Sequence, residues 1–271
     1  MSPRPFSCWR LCLGVVVLAL TACAGTGPGG LAPDQPSAIA TASDQTDADR
    51  RARTRLELAS AYFGRGQLDT ALDEVKLALQ AKGDLGEAFN LRGLIYAAMG
   101  EDRLAEDSFA RALQVNPRDG STLHNHAWFL CQRERYVEAQ ARFSALLAMP
   151  QYRDAARSQL ARGVCFGRTR QWPEAEEALM RAYELEPANP NIGFSLAEVL
   201  YQRQAYERAR FYIGRVNDMP DSVNAQTLWL AARIERKLGR DAAVRVLGER
   251  LRQVFPKAPE TALFERGRID E

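Results

Sequence analysis

Small and large apolar residues recur along most of the chain at an interval of 34, from residue 52 onward. Six frames fit: 52–85, 86–119, 120–153, 156–189, 190–223 and 225–258. Position 8 of each frame holds Ala59, Gly93, Ala127, Gly163, Ala197 and Ala232. Position 20 holds Ala71, Ala105, Ala139, Ala175, Ala209 and Val244. Between them, position 11 carries Tyr62, Tyr96, Leu130, Phe166 and Leu200, then slips to Glu235. Polar residues fill the gaps. The pattern predicts two amphipathic helices per frame, with small residues at 8 and 20 letting their backbones approach closely. Position 24, as in Phe109 and Phe143, fills the layer between them. Gly66 and Gly100 fall at the turn inside a frame, where positive φ is cheap for glycine. Prolines at Pro117, Pro150, Pro187, Pro220 and Pro256 stop the second helix of frames two to six. A plain helical bundle has no reason to repeat the same small-residue positions at a fixed period. The third frame needs two extra residues, near Pro150-Gln151-Tyr152, before the fourth comes into register.

The frame GEAFNLRGLIYAAMGEDRLAEDSFARALQVNPRD, residues 86–119, resembles the tetratricopeptide repeat, and the other frames follow it. The resemblance implies an all-α, right-handed α-solenoid of about six helix pairs. The repeat domain is expected over 51–258, with 259–271 as a C-terminal tail or short cap. It also implies a concave face lined by the first helices, with positions 2, 5, 9 and 12 turned inward. By that geometry Phe63, Leu94, Trp128, Phe194 and Tyr201 form an apolar, aromatic groove, with Glu198 among them. Such a groove suits a peptide segment of another protein.

Ahead of the repeats the pattern changes. Arg4 and Arg10 precede a ten-residue apolar run, Leu11 to Leu20, about half the ~20 residues a membrane-spanning helix needs. Basic, apolar and then small residues spell an export signal. Leu20-Thr21-Ala22-Cys23 resembles the lipobox of bacterial lipoproteins, which implies removal of residues 1–22 and lipidation of Cys23. Several acyl chains anchor stably where one does not. Ala24 after the cysteine implies the periplasmic face of the outer membrane. Residues 23–50 are rich in Gly, Pro, Ser, Thr and Asp and read as a disordered tether. The stretch Gly25-Thr26-Gly27-Pro28-Gly29-Gly30 fits G-x-G-x-x-G literally but lacks the strand before and the helix after that a nucleotide loop needs.

Charge and chemistry narrow the function classes. Losing Arg4 and Arg10 leaves 34 basic side chains, from 36, against 34 acidic ones. That balance does not suit a grip on nucleic acid. His124 and His126 point about 200° apart on a helix and cannot share a metal. No catalytic motif or phosphate loop is present, so neither an enzyme, a cofactor nor a small-molecule substrate is expected. Cys131 and Cys165 lie 34 residues apart, on the first helices of consecutive frames. A disulfide between them is expected in an oxidising compartment, with two buried free thiols as the other reading.

Longer stretches narrow the resemblance. The third frame contains LHNHAWFLCQRERYVEA, the fourth RGVCFGRTRQWPEAE, the fifth SLAEVLYQRQAYERARFYI, and the end reads LWLAARIERKLGRDAA, then FPKAPE. Together they resemble the type IV pilus biogenesis and stability lipoproteins, the PilF/PilW family. The resemblance implies a monomeric, non-catalytic pilotin that binds the pilus secretin and promotes its outer-membrane localisation and multimerisation. Family members often carry Tyr-Gly where this chain has His126-Ala127. A general periplasmic adaptor that organises cell-wall enzymes would share the anchor and the repeats.

Overall fold

A computed structural model describes residues 46–269. The signal peptide, Cys23 and most of the expected tether lie outside the described residues. Six helix pairs follow one another: α1 (Asp47–Gly64) with α2 (Leu68–Ala81), α3 (Gly86–Met99) with α4 (Asp102–Val115), and α5 (Gly120–Gln132) with α6 (Tyr136–Leu147). Then come α7 (Ala155–Arg168) with α8 (Trp172–Leu185), α9 (Pro190–Gln202) with α10 (Tyr206–Asn217), and α11 (Ala225–Lys237) with α12 (Asp241–Val254). A short α13 (Pro259–Glu265) closes the stack. There is no strand among the described residues. The fold is an all-helical solenoid of tetratricopeptide-like pairs.

Local chemistry explains the boundaries. Thr46 caps α1 through the Asp49 amide, and Asp49 reaches back to the Thr46 amide, a reciprocal capping box. Residues 47–50, assigned to the tether from composition, are therefore helical: a Thr-x-x-Asp start overrides a polar context. Asn224 and Thr227 make the same box at α11. Inside every pair the chain turns through one left-handed residue at position 15 of the frame. Three of these are the glycines Gly66, Gly100 and Gly239; the others are Glu134, Arg170 and Gln204, at φ 62°, 57° and 61°. The turn is thus a property of the repeat, held even where glycine is missing.

The core runs through the stack as a row of clusters. Phe109, Phe143, Leu179 and Ile213, all at position 24, are at most 1% exposed. A Cβ on Gly93 would stand 2.7 Å from the Phe109 ring, and one on Gly163 would stand 2.6 Å from Leu179 Cγ. Glycine at position 8 is what lets these large side chains lie between the two helices. Successive first helices touch one another down the stack, from α1 and α3 to α9 and α11, whereas successive second helices make no comparable contact among the described residues. The stack therefore curves toward its first helices, which line the inner face.

Two irregularities have structural roles. The extra residues after α6 carry Tyr152, whose ring packs over Gly120 while its hydroxyl bonds Ser158 on α7 at 2.6 Å. The insertion plugs the joint between the third and fourth pairs. Of the two readings for the last stretch, tail or short cap, the structure shows the cap: it forms α13 because Phe264 packs onto Gly248 of α12 and Thr261 donates to the Phe255 carbonyl at 2.7 Å. The added helix covers the apolar end that a last repeat would otherwise expose.

Candidate functional site

The inner face is built by positions 9, 12 and 13 of the first helices, one helical turn apart and so on one side. Its centre lies where α5, α7 and α9 run side by side. Trp128 on α5 is half-buried, and the guanidinium of Arg168 on α7 lies 5.5 Å from the centre of its ring. Beyond Arg168 a cleft of about 230 Å³ opens between α7 and α9, lined by Val164, Trp172, Leu179, Val199, Glu198 and Gln202, among others. Its floor is apolar; Arg168 and Glu198 supply opposite charges on its walls. Glu198 is open to water yet walled by protein, and that desolvation pushes its carboxyl above the usual range while Arg233 of α11 pulls it down. Arg233 also covers Tyr201, 4.7 Å from the ring centre.

The five expected groove residues do not form one strip. Trp128 adjoins the central cleft through Arg168. Phe194 lines a separate cleft of about 260 Å³ between the starts of α9 and α11. Tyr201, 7% exposed, belongs to the core beneath Arg233. Phe63 and Leu94 are half-buried against the cores of the early pairs. Sequence reasoning missed Arg168 and Gln202 because position 13 was left out of the inward set. The four-residue step from 9 to 13 is the signal that finds them.

Behind the groove, Cys131 and Cys165 form a disulfide that joins α5 to α7, with their Cα atoms 6.0 Å apart. His124 bonds Ser158 Oγ at 2.7 Å through Nδ1, extending the Tyr152–Ser158 contact into a buried chain. His126 turns the other way and stacks on Phe109 of α4, with ring centres 5.4 Å apart and both nitrogens without a hydrogen-bond partner among the described residues. Burial depresses both imidazoles to about 4. They are neutral packing groups on opposite sides of one helix.

Comparison with known proteins accords with this architecture. A family model described as tetratricopeptide repeat matches residues 86–119. The type IV pilus assembly protein PilF of Pseudomonas aeruginosa is 24% identical over 211 residues, 78% of this chain and 83% of that protein. The solved structure of that organism's PilF superimposes with a TM-score of 0.72 at 22% identity, over 82% of this chain and 100% of the other. PilW, described as a widely conserved type IV pilus biogenesis factor, superimposes with a TM-score of 0.73 at 26% identity, over 79% of this chain and 97% of the other. The chain is similar to PilF and PilW over most of its length, as a stack of tetratricopeptide-like pairs. The likeness extends over 100% of the solved PilF chain and 97% of the solved PilW chain.

Proposed function

We propose that this chain acts in type IV pilus biogenesis as an outer-membrane lipoprotein, anchored through Cys23 on the periplasmic side. In this reading its inner face binds a segment of the pilus secretin and promotes the secretin's localisation and multimerisation. The likeness to PilF across most of both chains carries the proposal. The central cleft supports it: an apolar floor between Arg168 and Glu198 takes an apolar side chain, and the two charges fix the direction of the segment that bears it. The disulfide holds α5 and α7 at a set spacing, so the groove needs little ordering on binding. The protein works by holding a partner, without catalysis.

The test is the state of the secretin in cells lacking this protein, read from unboiled outer-membrane fractions. Multimers should vanish while monomer persists, and wild-type protein should restore them. Cys23→Ser and Arg168→Glu should each fail to restore them. Normal multimers in the deletion strain would move the protein to the other role, a general periplasmic adaptor.

A further inference from the structure

The outer face of the stack changes character at the fifth pair. Position 22, the outermost point of each second helix, reads Asp73, Asp107, Ala141 and Glu177 in the first four pairs, then Phe211 and Val246. Phe211 is 56% exposed and Val246 67%. Charge reverses with it. Helix α8 sets Glu174, Glu176, Glu177 and Glu184 against Arg181 alone. Helix α10 sets Arg208, Arg210 and Arg215 against Glu207, and α12 sets Arg245, Arg250 and Arg252 against Asp241 and Glu249.

Between these two helices lies a cleft of about 480 Å³, whose walls include Arg210, Phe211, Asn217, Glu235, Leu247 and Arg250. Its floor holds the residue that broke the repeat pattern. Glu235 occupies position 11, where the other frames have Tyr, Leu or Phe, and it is 8% exposed. Its Oε1 accepts from Arg210 Nε at 2.7 Å. Its buried Oε2 has no hydrogen-bond donor among the described residues, with Arg240 standing 3.8 Å away. Asn217 Oδ1 in the same cleft is also buried and without a donor, although its Nδ2 donates to the Thr227 carbonyl. Both oxygens are closed to solvent, so they belong to the packed floor of the cleft, where Arg210 and Arg240 balance the Glu235 charge. Among the lining residues Arg215, which lies 5.9 Å from the Phe211 ring centre, and Arg250 make no ion pair among the described residues, while the lining acid Glu207 is already paired with Arg240 and Asp218 is the other exposed acid there.

We propose that this outer cleft is a second docking surface, separate from the inner groove, for an acidic amphipathic segment of a protein partner. An apolar side chain of the segment packs on Phe211 and Leu247. Carboxylates flanking it meet Arg215 and Arg250. Exposed Phe211 between arginines that make no ion pair, at a cleft between two helices, fits an acidic segment with one apolar face better than a flat lipid surface.

The test is fluorescence anisotropy on the full chain with a labelled helical peptide carrying Leu on one face flanked by Glu, beside a version with Lys for Glu. The Glu peptide should bind and the Lys peptide should not. Phe211→Glu, and Arg215→Glu combined with Arg250→Glu, should each weaken binding about ten-fold or more with melting unchanged, since all three side chains face water. Asp73→Asn on the acidic outer face should leave it as it is. No binding of the Glu peptide, equal binding of both peptides, or wild-type affinity in the patch variants would overturn the proposal. So would phosphatidylglycerol vesicles binding through the same residues when the peptide does not, which would make the surface a lipid contact. Self-association that Phe211→Glu abolishes would make the occupant a second copy.

Discussion

The joint between the third and fourth pairs and the joint between the fifth and sixth are built from helices at corresponding places in the repeat, yet one is sealed and the other is open. At the first, a disulfide ties α5 to α7, Tyr152 fills the gap left by Gly120, and a buried Tyr152–Ser158–His124 chain satisfies its own polar atoms. At the second, a carboxylate replaces the apolar residue at position 11, and two buried oxygens in the floor of a cleft lack donors among the described residues. The repeat itself dictates neither outcome. It fixes how helices stack, and individual residues at the joints decide which parts are rigid and which are left to receive something.

The largest way to break this contrast is acid. His124 at the sealed joint and His126 on the opposite side of the same helix, against Phe109 of α4, are both neutral and buried. His124 is held down first by burial and then by Arg157, with Asp154 opposing; His126 by burial and then Arg142 and Arg135, with Glu106 and Glu138 opposing. Unfolding returns each ring to an ordinary value near 6.5, so the unfolded chain binds protons that the folded one refuses until about 4. Stability is complete above pH 6.5 and falls as pH drops toward 4, by as much as roughly 3 kcal/mol for each ring. Urea melts at pH 7 and 4.5 should show the loss, and His126→Phe should remove part of it. Equal midpoints at the two pH values in the wild type would refute the buried-histidine account.

Next in size is the covalent tie. Cys131→Ser with Cys165→Ser, or reduction of the native protein, should cost about 2–4 kcal/mol. The early pairs should be affected least, which hydrogen exchange resolves pair by pair. Uniform loss of protection would show that the stack melts as one block. Smaller still is Tyr152→Phe, which leaves the plug but removes the hydroxyl from Ser158, for about 1 kcal/mol by thermal melting. At the open joint the sign should reverse. Glu235→Leu restores the apolar residue of the repeat and should raise stability by about 1 kcal/mol while closing the cleft. The smallest expected change is a gain of about 0.5–1 kcal/mol from Gln204→Gly, which removes a side chain from the left-handed region.

Much of this architecture was legible in the residues. Alanine and glycine at positions 8 and 20 locate every helix pair, because close helix approach leaves no alternative there. The spacing of Cys131 and Cys165 places them on neighbouring first helices. What escaped was decided by tertiary context. Glu134, Arg170 and Gln204 bear no turn signature, and the packing of their pairs imposes positive φ on them. Pro259–Glu265 reads as either a tail or a short cap until Phe264 meets the bare surface of Gly248. In the groove, aromatic residues drew the eye, whereas the arginines laid over their faces shape the surface: Arg168 on Trp128 and Arg233 on Tyr201.

The tie between α5 and α7 also has a mechanical meaning. A curved stack of helices pulled at its ends behaves as a spring, lengthening by small rotations at each joint. The Cys131–Cys165 bond joins two first helices across one joint near the middle, so tension passes through that covalent link and not through the packing around it. The third and fourth pairs then move as a single stiff block, with a compliant arm on either side. Under load the two arms open first, and the α7 wall of the central cleft stays fixed to α5.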